Sequence, residues 1–313
     1  MYDQLINIVY DYIYKMGVDS FENFSMSFNC SNVLLEERKF KFKHKYKKKY
    51  VFNKVDSLVE DFLMDLNPSY LEYYRLRKED GSFIFNFNDK SGYGYSTLDD
   101  ETGNHEIYVG ITGYIEDAFT IVHELFHDIN VNDDCDSYGR YFFTECLSMV
   151  GEFLLSDYLV DKNIVDRKNV IEMMLYFLRG KALQVNFNLR LIQEYFQNGY
   201  LNSRIVDTII NSYPSEYRKD IDEVISIICD QEWVTLEDEQ TYILSCLCAT
   251  YMYDRIKGKN KYLNELFDLN QVLNDFSLSQ VLDYLDLDHG DFDLSDKSYS
   301  ILRDKYKKFI KRW

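Results

Sequence analysis

The sequence predicts a mainly α protein of the α+β class: a helical bundle with a small antiparallel sheet of edge strands beside one central helix. The 313 residues include only 2 prolines and 13 glycines, which is typical of long helices joined by short connections. Apolar residues recur at helical spacing over most of the chain. Because 46% of the residues are hydrophobic, the chain can bury a large core.

Apolar spacing predicts the helices in chain order. They cover residues 1–17, 55–66, 68–78, 140–155, 169–198, 204–212, 218–230, 241–256, 261–284 and 297–312. Pro68 fits the first turn of its helix, because a proline at that point removes no helical hydrogen bond. Residues 82–88 and 106–113 have the pattern of strands, and a turn at 89–94 follows the first of them.

Charge and cysteine content narrow the class of protein. A formal charge of −18 argues against binding to nucleic acid or to an anionic membrane surface. No apolar run approaches the ~20 residues that span a bilayer, and the first residues lack the basic start of a signal peptide. The 6 cysteines have no disulfide-framework spacing. We therefore expect a cytoplasmic protein with reduced thiols that binds neither nucleic acid nor membrane.

Residues 38–50 differ from the rest of the chain. Aromatic residues and His44 alternate there with lysines, which is the period-two pattern of a strand, and no acidic residue interrupts them. One interpretation is a patch for an acidic partner. The other, which the sequence favours, is an exposed edge strand protected by its lysines or paired with the acidic body.

A His-Glu-x-x-His motif provides the main functional signal. His123 and His127 stand four residues apart in an apolar helix, so their imidazoles can point at one place. Glu124 lies roughly 100° further round the helix, within reach of a water at that place. Polar groups are costly in such a helix unless a partner binds them, and a metal is the partner that fits best. An open zinc site has three protein ligands and a water. The remaining histidines stand alone and are not expected to be ligands: His44, His105 and His289.

The next helix carries the candidate for the third ligand. Glu145 and Glu152 are seven residues apart in a mostly apolar segment, so both carboxylates lie on nearly the same helix face. The 18 residues from His127 to Glu145 leave room for a turn and an antiparallel return. We therefore predict that Glu145 binds the metal and that Glu152 orients a ligand. The alternative, that both face solvent, fits Glu145 poorly because its neighbours are apolar.

The predicted strand 106–113 ends just before the zinc helix. An extended peptide can add to a strand edge through main-chain hydrogen bonds, which would bring its scissile carbonyl to the metal. We therefore expect Tyr108, Gly110 and Thr112 to contact a peptide or an unfolded protein segment.

Residues 113–127 resemble the zinc-helix segment of the thimet oligopeptidase and oligopeptidase F family of zinc metallopeptidases. In that family the helix opens with an Asp six residues before the first His, here Asp117. The family's second motif is a Glu ligand followed by Ser three residues later and Glu seven residues later. Glu145, Ser148 and Glu152 match it. The resemblance implies that Asp117, Ser148 and Glu152 support the ligands.

Three further segments carry the resemblance. Residues 90–95 are similar to the family's turn before the substrate-binding strand, and residues 291–299 to its closing segment. Tyr242 lies in a segment similar to the one whose tyrosine hydrogen-bonds the tetrahedral intermediate. The resemblance covers roughly residues 50–313. Two domains are therefore expected, an appendage of helix and basic strand at 1–54 and a catalytic domain at 55–313.

The chain also departs from the family pattern. Phe126 replaces the Gly that usually precedes the second His, and the interval from His127 to Glu145 is shorter. Residues 230–241 contain neither the His nor the second Tyr that the family has before Tyr242. Most of the family's N-terminal half, which walls a deep substrate channel, has no counterpart. Limits on substrate size and part of the oxyanion stabilisation therefore do not carry over.

These observations predict a zinc metalloendopeptidase with one Zn²⁺ per chain. The ion, held by His123, His127 and Glu145, would lower the pKa of its water and polarise the scissile carbonyl. Glu124 would move the water's proton to the leaving amine, and Tyr242 would donate to the developing oxyanion.

Two other functions remain open. A non-catalytic peptide-binding protein could keep the fold with weakened chemistry, which the missing His and Tyr favour. The intact motif argues against it, since a binder has no use for a general base. The second open function is a protease that acts on one dedicated protein partner.

Overall fold

The helices of the computed structural model surround one helix that is buried on almost every side. The structure describes residues 2–15, 27–28, 30–32, 35, 48–99, 104–130, 138–230, 236–256, 263–267, 280 and 283. Its helices are α1 Tyr2–Lys15, α2 Phe52–Leu66, α3 Pro68–Glu79, α4 Glu116–Asn130, α5 Tyr138–Asp161, α6 Arg167–Asn198, α7 Ser203–Ser212, α8 Arg218–Asp230 and α9 Leu236–Ile256. Its strands are β1 Phe83–Asn86, β2 Gly94–Asp99 and β3 Asn104–Gly110. The predicted fold class, a helical bundle with one small sheet, is confirmed.

Helix starts follow the local sequence. Asn67 caps α3 by accepting a hydrogen bond from the Ser69 N–H, and Pro68 occupies the first helical position. Asn202 caps α7 in the same way, accepting from the Ile205 N–H. These short polar side chains replace the helical partners that the first amide groups lack.

The sheet differs from the prediction in two respects. The strand order is β1-β3-β2, with β2 antiparallel and β1 parallel to β3, so the sheet is mixed rather than antiparallel. The predicted strand 106–113 corresponds to β3, which lies in the centre and not at an edge. The cause is β2, which follows the predicted turn 89–94 and which the sequence pattern did not reveal.

Helix α4 packs against α2, α5, β2 and β3. Its apolar residues are almost fully enclosed, among them Ile121, Leu125 and Phe126. A Cβ atom at Gly151 of α5 would lie 2.9 Å from the Phe126 ring, so the bare glycine provides the space that this ring fills. The departure at Phe126 is thus accommodated by a glycine on the facing helix.

Helix α1 packs on α6, α7 and α8, and its Leu5, Ile6 and Val9 join the same hydrophobic core as the rest of the bundle. The boundary between 1–54 and 55–313 stays a prediction. The predicted basic strand lies outside the described residues except for 48–50, as do most of the predicted helices 261–284 and 297–312. Within the described part, no helix has an apolar stretch long enough to cross a membrane.

Candidate metal centre

The two histidines of the motif converge on one point. The Nε2 atoms of His123 and His127 lie 3.0 Å apart on one face of α4. Glu145 reaches the same point from α5, with Oε1 3.3 Å from His127 Nε2 and Oε2 3.6 Å from His123 Nε2. One ligand atom from each residue lies within 4.8 Å of the others, so the three side chains could hold a metal ion at the place where they meet, the metal point.

The hydrogen bonds of this group are incomplete. Glu145 Oε2 is buried and has no hydrogen-bond partner. Two imidazole nitrogens facing each other and a carboxylate oxygen without a donor would be costly in a closed interior. A cation between them satisfies all three atoms at once. Two nitrogens and one carboxylate form a donor set of the kind that catalytic zinc uses, which leaves a fourth position open.

Glu152 holds the first histidine in place. Its Oε1 lies 2.6 Å from His123 Nδ1, which keeps a proton on Nδ1 and leaves Nε2 to face the metal point. Burial alone would lower the pKa of His123. The hydrogen bond and charge of Glu152, with the charges of Glu124 and Glu145, instead raise this pKa to about 9. The pKa of Glu145 is lowered against the effect of burial, because both histidines lie beside it. The metal-free group is therefore charged at neutral pH, and metal binding would release a proton.

Glu124 is buried between α4 and the sheet. Burial raises the pKa of its carboxyl group, which the two neighbouring histidines partly offset. Gly94, at the start of β2, makes room for it: a Cβ atom there would lie 2.7 Å from Glu124 Cγ and 2.8 Å from Oε1. A carboxyl group with a raised pKa is suited to exchange protons near neutral pH.

Tyr242 of α9 faces the same point. Its hydroxyl oxygen lies 3.3 Å from His123 Nε2, and its ring stacks on the His123 ring with 6.1 Å between centroids. Burial first, and then the nearby carboxylates, raise the pKa of Tyr242 well above its usual value. The phenol therefore stays protonated and can act as a hydrogen-bond donor.

Two predicted supporting residues bond elsewhere. Asp117 accepts hydrogen bonds from the N–H groups of Thr112 and Gly113 and from the Thr112 hydroxyl, which ties the segment after β3 to the start of α4. Ser148 donates to the Thr144 carbonyl within its own helix. Both lie on elements that carry the ligands, but their described hydrogen bonds do not go to a ligand.

The predicted peptide-binding edge needs correction. Tyr108 donates its hydroxyl hydrogen to Asp89, and the Gly110 N–H donates to the Tyr93 carbonyl. The Thr112 N–H is bonded to Asp117. Since β3 pairs on both sides, its backbone cannot accept an added strand. The sheet edge beside Glu124 is β2, which pairs only with β3 among the described strands.

Sequence reasoning missed a second polar cluster on α4. Asp128 lies 2.7 Å from His105 Nδ1, accepts from the Tyr73 hydroxyl at 2.6 Å and from Arg77 Nε at 2.9 Å. Its partners come from β3 and α3, far away in the sequence. An acidic residue directly after the second histidine of an apolar helix was the signal that could have revealed it.

No family model and no curated protein matches the sequence. Solved structures do match the fold. PZ peptidase A bound to an inhibitor superposes with a TM-score of 0.64 at 14% identity, over 94% of this chain and 59% of that one. A protein described as an oligoendopeptidase F from Bacillus anthracis gives 0.59 at 14% identity, over 96% and 57%. One described as a peptidase from Chlamydophila abortus gives 0.57 at 15%, over 96% and 55%. This chain thus spans a little over half the length of these proteins and shares the fold of solved peptidases.

Proposed function

We propose that this chain is a zinc-dependent metalloendopeptidase that acts on peptides or on an extended segment of a dedicated protein substrate in the cytoplasm. The observation that carries the proposal is the convergence of His123, His127 and Glu145 on one buried point, with a carboxylate oxygen of Glu145 left unbonded. The fold shared with solved peptidases supports it.

In this proposal His123, His127 and Glu145 hold the ion. Zinc, when bound, supplies Lewis acidity to a water and to the scissile carbonyl. Glu124 takes the proton of the attacking water and passes it to the leaving amine, for which a raised pKa is well suited. Tyr242 donates its hydroxyl hydrogen to the oxygen on which negative charge develops.

The substrate backbone would lie along β2, the sheet edge that Gly94 brings against Glu124. A peptide there gains main-chain hydrogen bonds independent of its side chains. The proposal therefore moves the substrate contact from β3 to β2 and keeps the predicted reaction.

Replacing Glu124 by Gln tests the reaction. The amide has the same size but cannot accept the proton, so we expect unchanged zinc content and folding while peptide cleavage falls by about 100- to 10,000-fold. Metal analysis and cleavage of a peptide library by both proteins measure this. If both proteins bind a peptide equally and neither cuts it, the chain is a peptide-binding module instead.

A further inference from the structure

Lys181 of α6 lies beside Tyr242, one of the residues that face the metal centre. Its Nζ lies over the Tyr242 ring, 5.1 Å from the centroid, and it forms no ion pair with any described residue. By contrast, Arg77 is paired with Asp128, and Lys90 donates to the Ile111 carbonyl. Lys181 is only partly exposed, so its charge is not fully solvated. A half-buried ammonium group gains free energy when an anion joins it.

We propose that Lys181 binds a carboxylate of the substrate and makes the protein prefer peptides that carry one; this inference rests on the proposed peptidase function. The surroundings explain why a dedicated cation is needed. The chain carries a formal charge of −18, and Glu124, Glu145 and Glu152 all surround the metal point. The net charge of the chain repels an anionic peptide, and the Lys181 cation offsets part of that repulsion in addition to the proposed zinc ion.

The position of Lys181 sets where the carboxylate would lie. The Tyr242 ring contacts both groups: Lys181 Nζ lies 5.1 Å and the His123 ring centroid 6.1 Å from its own centroid. The distances from Lys181 to the Tyr242 ring and from that ring to His123 together correspond to two or three residues of an extended peptide, which rises about 3.4 Å per residue. The carboxylate bound by Lys181 therefore belongs to a residue close to the scissile bond.

A C-terminal carboxylate and an acidic side chain offer the same chemistry. Lysine binds either one, because its ammonium group is a compact charge on a flexible stem. The C-terminal source would favour cleavage close to the peptide end. The side-chain source would favour cleavage near Asp or Glu at any chain length.

The test uses binding to the zinc-loaded Glu124→Gln protein, so that no peptide is consumed. Three acetylated alanine-rich hexapeptides are titrated by calorimetry: a free C-terminal acid, its C-terminal amide, and an amide in which one residue is Glu. We expect the acid or the Glu peptide to bind about tenfold more tightly than the plain amide, as one charge-assisted contact provides. Added salt should reduce this preference.

Lys181→Gln should abolish the preference, while Lys181→Arg should keep most of it. Lys162→Gln is the matched control, because Lys162 lies over the Tyr158 ring at a similar 5.2 Å. It follows α5 roughly 15 Å beyond Glu152 at 1.5 Å per helical residue. This control should leave the preference unchanged. In active protein, Lys181→Gln should raise KM for the preferred peptide with kcat nearly unchanged.

Equal binding of all three peptides to the Glu124→Gln protein would overturn the inference. A carboxylate preference that survives the added change Lys181→Gln would overturn it too. Which of the two anionic peptides binds more tightly identifies the source of the carboxylate. If no peptide is ever cleaved but the preference depends on Lys181, the proposed reaction fails and the carboxylate site stands. If peptides are cleaved but show no carboxylate preference, the proposed reaction stands and the proposed carboxylate site fails.

Discussion

Two neighbouring residues of α4, His127 and Asp128, lie on different sides of the helix and in opposite chemical situations. Consecutive helical residues are about 100° apart, so one faces α5 while the other faces α3 and β3. Asp128 has bonds to both carboxylate oxygens, from His105 on one and from Tyr73 and Arg77 on the other. The side chain of Asp128 is completely buried, yet its hydrogen-bonding needs are met within the chain.

On the His127 side the needs are not met. His123 and His127 turn their Nε2 atoms toward each other, and one oxygen of Glu145 has no partner. Buried polar clusters are costly when incomplete and stabilising when complete. Helix α4 therefore carries a completely bonded polar cluster on one side and an incompletely bonded one, the proposed metal site, on the other. Neighbours in sequence can thus have separate roles.

The largest effect that would test this difference is loss of the metal. We expect His127→Ala to abolish tight zinc binding and also to lower the unfolding free energy of the metal-free protein, because it leaves the buried Glu145 carboxylate with only one of its two neighbouring histidines. Glu152→Gln should weaken zinc binding by only about 10- to 100-fold, as is typical of a residue that orients a ligand. Zinc content after dialysis and urea unfolding of chelator-treated protein measure both. Tight binding by His127→Ala would remove His127 from the ligand set.

The next largest effect is a loss of stability when the Asp128 cluster is broken. Asp128→Ala leaves Arg77 without its buried counter-charge and removes the hydrogen-bond partner of His105 and Tyr73, so we expect a loss of about 3–5 kcal/mol in unfolding free energy. Molecules that stay folded should still bind one zinc. Arg75→Ala, which removes an ion pair with Glu60 at the surface, is the control and should change stability little. If Asp128→Ala lost zinc but kept its stability, the two sides would not be separate.

The metal group could be predicted from the sequence, whereas the Asp128 cluster could not. Helical geometry predicts that His123 and His127 point at one place. Glu145 is predicted from its apolar helix and from a connection long enough for an antiparallel return. Asp128 stands out beside the motif, but the sequence does not identify His105 as its partner, because their contact depends on how β3 packs against α4. Strand β2 was missed for a similar reason, since six residues from Gly94 to Asp99 with a glycine and polar side chains resemble a loop until a partner strand pairs with them.

Tyr242 provides a smaller but more specific test of the metal side. We expect Tyr242→Phe to lower kcat by about 100- to 1000-fold with little change in KM, since the hydrogen bond to the oxyanion forms only in the transition state. Tyr73→Phe is the matched change on the Asp128 side. It should reduce stability and leave kcat nearly unchanged. Peptide cleavage kinetics and urea unfolding of both variants separate the two outcomes, and a silent Tyr242→Phe would leave the oxyanion to the metal alone.

The smallest expected effect tests whether strand β2 positions the Glu124 carboxylate for catalysis. An added Cβ at Gly94 would stand 2.7 Å from Glu124 Cγ and equally close to the Thr120 methyl group, closer than real Cβ atoms approach. Because Glu124 must then shift, Gly94→Ala should lower cleavage by roughly 10- to 100-fold, as a 1 Å misplacement of a catalytic group does. Zinc content should stay at one per chain, since the atoms nearest to the added methyl group belong to Glu124 and Thr120 and not to a ligand. Gly180→Ala is the matched control: apart from its chain neighbours and its own helix backbone, no atom lies within 4 Å of the added Cβ, and alanine favours the helix there. If both variants cleave peptides as fast as the parent protein, β2 does not position Glu124, and the substrate edge must be sought on another element.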